Sequence, residues 1–317
     1  MTIKSLTSYV KKFLYFEQFA WIFISNIRYY SSETENYISR CDLLVENKLH
    51  KCEESDFKKW LVGFTDGVGS FNIFINKYNN IIFTFKLSQK KTNMRILYFI
   101  KKELGVGSVK ESKDGMVHYI IKDNNILLNK IIPIYDQIQL KTTKIYNYKI
   151  FKESLDILNN NNISKTDKLI IIKSFKHNFK ANITQDNFIT KEWIIGYTEA
   201  VGRFYITKLN HGFSITQKNN KHLLEEIKKY INLTCDIKIK RSELTPYSVE
   251  IEANTKRQIY ILDVIDKKSI KKIKDYYKDQ FKGIKSLEYK LWAKTLKYKG
   301  NLKKLKEIKP IKNLIKV

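Results

Sequence analysis

The residues of this chain that could do chemistry stand inside a phrase written twice. Trp60-Leu61-Val62-Gly63-Phe64-Thr65-Asp66-Gly67-Val68-Gly69-Ser70-Phe71 returns as Trp193-Ile194-Ile195-Gly196-Tyr197-Thr198-Glu199-Ala200-Val201-Gly202-Arg203-Phe204. The tryptophans, the first and last glycines and the phenylalanines keep one offset of 133 residues. Two copies of one folding unit are implied. Each phrase holds one acid, Asp66 or Glu199, and in each the residue before the last glycine is a valine, Val68 or Val201. A carboxylate at the valine positions would offer hard oxygen ligands to a divalent ion and, through it, hydrolytic chemistry. Valine offers hydrocarbon. Cys41, Cys52 and Cys235 form no CxxC pair, and the five histidines show no ligand spacing.

The elements that position these residues follow from spacing. Gly63 and Gly67 are four apart, as are Gly196 and Ala200, so each pair lies on one face of a helix. Glycine costs a helix roughly 0.8–1.0 kcal/mol relative to alanine, and close approach of a second backbone is the reason that repays it. The two phrases are expected to pack as helices, small side against small side. A helix starting near Ser55 leads into the first phrase. Strands follow at Ser70–Asn76 and Ile81–Ser88 about a Tyr78-Asn79-Asn80 turn. Next come a helix over Asn93–Leu104, a hairpin of Gly107–Glu111 with Met116–Lys122, and helices over Asn125–Tyr135 and Thr143–Leu158. The second half repeats the order. A helix leads into the phrase near Thr190, and strands are expected at Arg203–Leu209 and Gly212–Gln217. A helix spans Lys221–Ile231, strands lie near Asp236–Arg241 and Ser248–Glu252, and a helix covers Thr255–Val264.

Composition narrows the partner. Lys and Arg number 59 against 32 Asp and Glu, a net charge of +27. Codon bias toward Lys, Asn and Ile accounts for part of this; the shortage of acids points to a polyanion, since neutralised phosphates release counterions. A hydrophobic fraction of 43% excludes a disordered chain. No apolar run approaches the roughly 18 residues of a membrane span. Residues 1–32 carry Lys4, Lys11, Lys12 and Arg28 with Glu17 as their one acid, the composition of a mitochondrial transit peptide. A structured extension, or upstream coding sequence joined to an intron frame, is the competing reading. Mitochondrial matrix is the expected location.

The twin phrase, with Leu87-Ser88-Gln89-Lys90, Ile215-Thr216-Gln217-Lys218, Thr142-Thr143-Lys144 and Gly283-Ile284-Lys285-Ser286-Leu287-Glu288-Tyr289, resembles the LAGLIDADG homing endonucleases and related intron maturases over roughly residues 53–300. The resemblance implies an α+β fold of two tandem αββαββα units about a pseudo-two-fold axis, with an antiparallel β saddle on nucleic acid. The implied boundaries are a leader at 1–32, a linker at 33–53, a first unit at 54–160, an interdomain helix and linker at 161–184, a second unit at 185–298 and a basic tail at 299–317.

In the family the last acid of each motif is catalytic and holds magnesium; those places are Val68 and Val201 here. Asp66 and Glu199 are then expected to be structural, bonding near the helix end, with a displaced magnesium site built on them as the alternative. The helix interface falls to Gly63, Gly67, Gly196 and Ala200. Nucleic-acid contacts are expected from Asn72, Asn76, Lys86, Gln89, Lys90, Arg203, Tyr205, Lys208, Gln217 and Lys218, about half of which can face the groove. Lys144 and Lys285 match family positions near the scissile phosphates and are expected to anchor phosphate. The expected molecule is a monomer without cofactor. It binds structured mitochondrial RNA, as a group I intron maturase or as a ribosomal or messenger RNA-binding factor, within a ribonucleoprotein or ribosome. A DNA endonuclease with relocated metal ligands and a non-cleaving DNA binder are the rivals.

Overall fold

The computed structural model describes residues 54–178, 188–207, 210–240, 258–301 and 303–304. The expected leader, the 33–53 linker, Lys208, the Ser248–Glu252 strand and most of the basic tail lie outside them.

The first half runs α1 (Glu54–Val68), β1 (Gly69–Ile75), β2 (Ile81–Lys90), a 3-10 turn (Lys91–Asn93), α2 (Met94–Leu104), β3 (Ser108–Glu111) and β4 (Met116–Ile121). It continues through α3 (Asn124–Ile126), a π-helical stretch (Leu127–Ile131), α4 (Ile132–Gln137) and α5 (Lys144–Asn159). Helix α6 (Lys165–Asn178) follows. The second half runs α7 (Lys191–Val201), β5 (Arg203–Ile206), β6 (His211–Lys218), α8 (Lys221–Ile231), β7 (Ile237–Lys240), β8 (Ile259–Val264), α9 (Lys267–Tyr276) and α10 (Lys285–Thr295). Among the described residues each half makes one antiparallel four-stranded sheet, and the strand orders match: β1-β2-β4-β3 and β5-β6-β8-β7.

Local chemistry sets these bounds. Ser55 lies inside the first turn of α1 and does not cap it. Thr190 caps α7, its hydroxyl accepting from the Trp193 amide at 3.2 Å. The β1–β2 turn closes on Asn76, whose side-chain oxygen accepts the amides of Tyr78 and Asn80 at 2.9 Å each, with Asn79 at φ 59°. Gly105 ends α2 in the left-handed conformation.

The expected helix over Thr255–Val264 is overturned. Ile259–Val264 is a strand, paired with β6 from Phe213↔Val264 to Lys218↔Ile259 and with β7 from Ile237↔Leu262 to Lys240↔Ile259. The run Ile259-Tyr260-Ile261-Leu262-Asp263-Val264 is β-branched and aromatic, suited to a pleated interior. Between two partners each of its backbone groups has somewhere to bond. The helix belonging to that stage is α9, capped by Asp266, which accepts from the Ser269 amide at 2.8 Å.

Each core is built on the phenylalanine that ends the twin phrase. Phe71 packs on Phe85, Tyr135, Tyr148 and Phe151 at centroid distances of 5.1–5.4 Å. Phe204 packs on Phe213, Tyr277, Phe281, Tyr289 and Trp292 at 5.1–6.1 Å. Full burial of such side chains stabilises by about 1.5–3 kcal/mol apiece. These clusters tie each sheet's inner face to its helices and fix where the motif helix ends.

Candidate nucleic-acid interface

Helices α1 and α7 pack directly on each other, and the contact is reciprocal. A Cβ built on Gly63 would run into the Trp193 carbonyl, one on Gly196 into the Trp60 carbonyl, and one on Gly67 into the Ala200 side chain. The four small residues therefore line the seam, which only missing side chains allow.

The two acids are buried beside that seam, Asp66 at 3% exposure and Glu199 at 1%. Asp66 Oδ1 accepts from the Thr142 amide (3.0 Å) and hydroxyl (2.6 Å). Its Oδ2 accepts from the Lys141 amide (2.9 Å) and from Trp193 Nε1 (3.0 Å). Glu199 accepts from the Lys282 amide at 2.7 Å and the Gly283 amide at 3.0 Å. Both acids, in the last turn of their motif helices, thus hold the loop that leads into Lys144 or Lys285 of their own half. Burial pushes the Asp66 carboxyl up against its four donors, and pushes Glu199 up to about 7.

At the foot of the helix pair stand Val68 and Val201, each half-buried. Lys144 Nζ donates to the Thr65 carbonyl at 2.9 Å. Lys285 Nζ donates to the Gly202 carbonyl at 2.6 Å and pairs with Glu288 at 3.0 Å. Each ammonium thereby meets the C-terminal carbonyls of a motif helix, where the dipole favours a cation. Burial holds Lys144 down at about 8. The Thr65 and Thr198 hydroxyls bond Tyr135 at 2.7 Å and Tyr277 at 2.8 Å, one pair in each half.

This donor set does not fit magnesium. The ion takes near-octahedral oxygens, the foot offers valine hydrocarbon, and every oxygen of Asp66 and Glu199 already accepts a hydrogen bond. Among the described residues no group of three or more His, Cys, Asp or Glu could hold a metal ion.

Alternation sorts the strand candidates. In the first sheet Phe71, Phe83, Phe85 and Leu87 point to the helices. The outer face carries Asn72, Lys86 and Lys90 in register with Thr84, Ser70 and Met116. Gln89 falls on the helix side, its amide oxygen accepting from Asn93 at 3.0 Å. Gln217 likewise accepts from the Tyr197 hydroxyl at 2.5 Å. Both glutamines sit beside the helix pair, in the part of the strand candidates that turns away from the outer face. Asn76 is spent on its turn. In the second sheet Arg203 and Lys218 are exposed on the outer face. Tyr205 shares their parity but is 2% exposed: it lies over Gly212 and its hydroxyl donates to Asp263, which takes it from the contact surface.

Three positions went unforeseen. Asn93 accepts the Ile284 amide at 2.8 Å, and Asn220 donates to the Lys141 carbonyl at 3.3 Å. Each half thus holds the other's loop with an asparagine placed just before a helix. His118 on the outer face of β4 is held between Ser88 (2.9 Å) and Ser112 (3.1 Å). Its parity with Met116 and Ile120 was the available signal. No described helix is long and apolar enough to cross a membrane.

Comparison with known proteins agrees with this geometry. A family model described as LAGLIDADG endonuclease matches residues 61–155. Probable intron-encoded endonuclease Cox1-I1b of Schizosaccharomyces pombe is 37% identical over 264 residues, 78% of this chain and 66% of that protein. Probable intron-encoded endonuclease aI3 of Dictyostelium citrinum is 28% identical over 70% of this chain and 88% of its own. An uncharacterised mitochondrial protein, RF1, of Saccharomyces cerevisiae is 30% identical over 58% of this chain and 40% of its own. The chain thus spans between two-fifths and nine-tenths of these relatives' lengths. The LAGLIDADG meganuclease I-CpaMI bound to uncleaved DNA superposes with a TM-score of 0.65 at 20% identity, covering 82% of this chain and 99% of that one. I-SmaMI bound to uncleaved DNA target with calcium gives 0.62 at 21% identity, covering 81% and 97%. At such identity these two structures show the shared fold.

Proposed function

The chain belongs to the LAGLIDADG endonuclease family, and on that premise we propose that it binds nucleic acid without cleaving it through metal. Its ligand in this reading is structured mitochondrial RNA, foremost a group I intron whose folding and splicing it assists. One observation carries the loss of cleavage: valine stands at both helix feet, while both surviving motif carboxylates are consumed by buried hydrogen bonds. Relocating a magnesium site to Asp66 and Glu199 would break bonds that tie each half to its last loop. Lys144 and Lys285 then serve as phosphate anchors. The intron-encoded and mitochondrial relatives support the compartment, and the net charge of +27 supports a polyanion as ligand.

The DNA held by I-CpaMI and I-SmaMI favours a second reading, in which the outer sheet faces hold duplex DNA uncut. Competition between mitochondrial intron RNA and duplex DNA, at one stated salt concentration, separates the two. The first reading expects RNA to displace DNA. Displacement of every RNA tried by a duplex DNA would overturn it.

A further inference from the structure

The outer face of the first sheet ends in aromatic surface. Phe74 shares its parity with Asn72 and pairs across the strands with Ile82. It is 61% exposed, and Tyr78 at the turn is 70% exposed. The Lys77 ammonium lies 5.1 Å from the Tyr78 ring centroid. The turn that presents Tyr78 is fixed by the two Asn76 side-chain bonds, the Asn76 amide to the Asn80 carbonyl and the Asn79 amide to the Asn76 carbonyl, both at 3.0 Å. Lys86 and Lys90 continue the same face toward the helix feet.

Duplex nucleic acid offers an exposed ring little stacking surface, because its bases are stacked on one another and only a thymine methyl or an opened base step meets it. Unpaired bases offer more: every base has a π-face, and a positively charged strand face supplies the phosphate contacts. We propose that Phe74 and Tyr78 form a stacking platform for unpaired bases at the hairpin end of this surface. A structured RNA would extend single-stranded nucleotides there from the helical segment bound beside Lys86 and Lys90. The proposal rests on nucleic acid occupying the outer face; it does not require the ligand to be an intron.

The test measures affinity of the full chain for four probes at one salt concentration: a blunt RNA duplex, the same duplex with single-stranded tails, and the two DNA counterparts. Phe74→Ala with Tyr78→Ala is expected to weaken tailed probes about 5- to 140-fold per stacked base, the range that roughly 1–3 kcal/mol of stacking gives. Blunt probes should change less than about twofold. Phe74→Leu, which keeps an apolar side chain but loses the ring, should share the selective loss, and Tyr78→Phe should retain binding. A tail-selective loss upholds the platform even if DNA binds more tightly than RNA, which would remove only the RNA reading above. Equal losses on blunt and tailed probes, no loss on either, or binding to none of the four overturns it.

Discussion

Asp66 and Glu199 occupy equal places in the repeat and are held unequally. Asp66 receives four donors, one of them Trp193 Nε1 from the other motif helix. Glu199 receives two, since Gly283 stands where Thr142 would give a hydroxyl, and buried Trp60 Nε1, the counterpart of Trp193, finds no partner among the described residues. Glu199 is therefore the weaker clamp, with a pKa raised from 4.5 to about 7 by burial. The folded state holds a proton that the unfolded chain has released across that interval. Glu199's contribution is thus greatest below pH 4.5 and is lost as pH rises through about 7, a swing of about 3 kcal/mol at 1.36 kcal/mol per unit. Urea unfolding across this range should show wild-type stability falling relative to Glu199→Gln as pH rises; parallel curves would contradict it. Asp66→Asn turns an amide toward buried donors and should cost about 3 kcal/mol, read as a lowered urea midpoint.

At the scale of elements the helix seam is the sharpest dependency. Gly63→Ala and Gly196→Ala each press a methyl into a backbone carbonyl that cannot rotate away. About 3 kcal/mol of destabilisation is expected, the upper end of overpacking, while Gly105→Ala, open to solvent, should suffer only from its left-handed backbone at φ 68°. Thermal melts of the three variants check this, and equal melting temperatures would refute the seam. That seam was legible because glycine inside a helix is expensive and appeared twice at one spacing. The hairpins were legible through Asn79, Gly115 and strict alternation. Strand β8 was not, since Ile259, Leu262 and the apolar residues between them satisfy a helical period as well as a strand one. Pairing with β6, distant in sequence, decided the matter. The strand face of Gln89 could have been read from its parity with Phe83, Phe85 and Leu87. The burial of Tyr205 could not, because it depends on Gly212 across the strand pair and on Asp263 from β8. Nor could the loops that Asp66 and Glu199 bind, which lie 75–84 residues away along the chain.

For the whole molecule, a charge of +27 makes binding an ion-exchange process whose salt dependence counts phosphate contacts. Lys86→Ala and Lys90→Ala should each lower the slope of log affinity against log salt by about 0.7 on single strands and about 0.9 on duplex DNA. An unchanged slope would take these lysines off the contact surface. The proposed loss of cleavage is tested most directly by incubating the protein with magnesium and a library of mitochondrial DNA fragments that includes intronless alleles, then sequencing the ends produced. The account predicts no chelator-sensitive ends from the wild-type chain. Discrete magnesium-dependent ends from that chain, abolished by chelator, would show that the chain holds a hydrolytic ion on other oxygens and would contradict it.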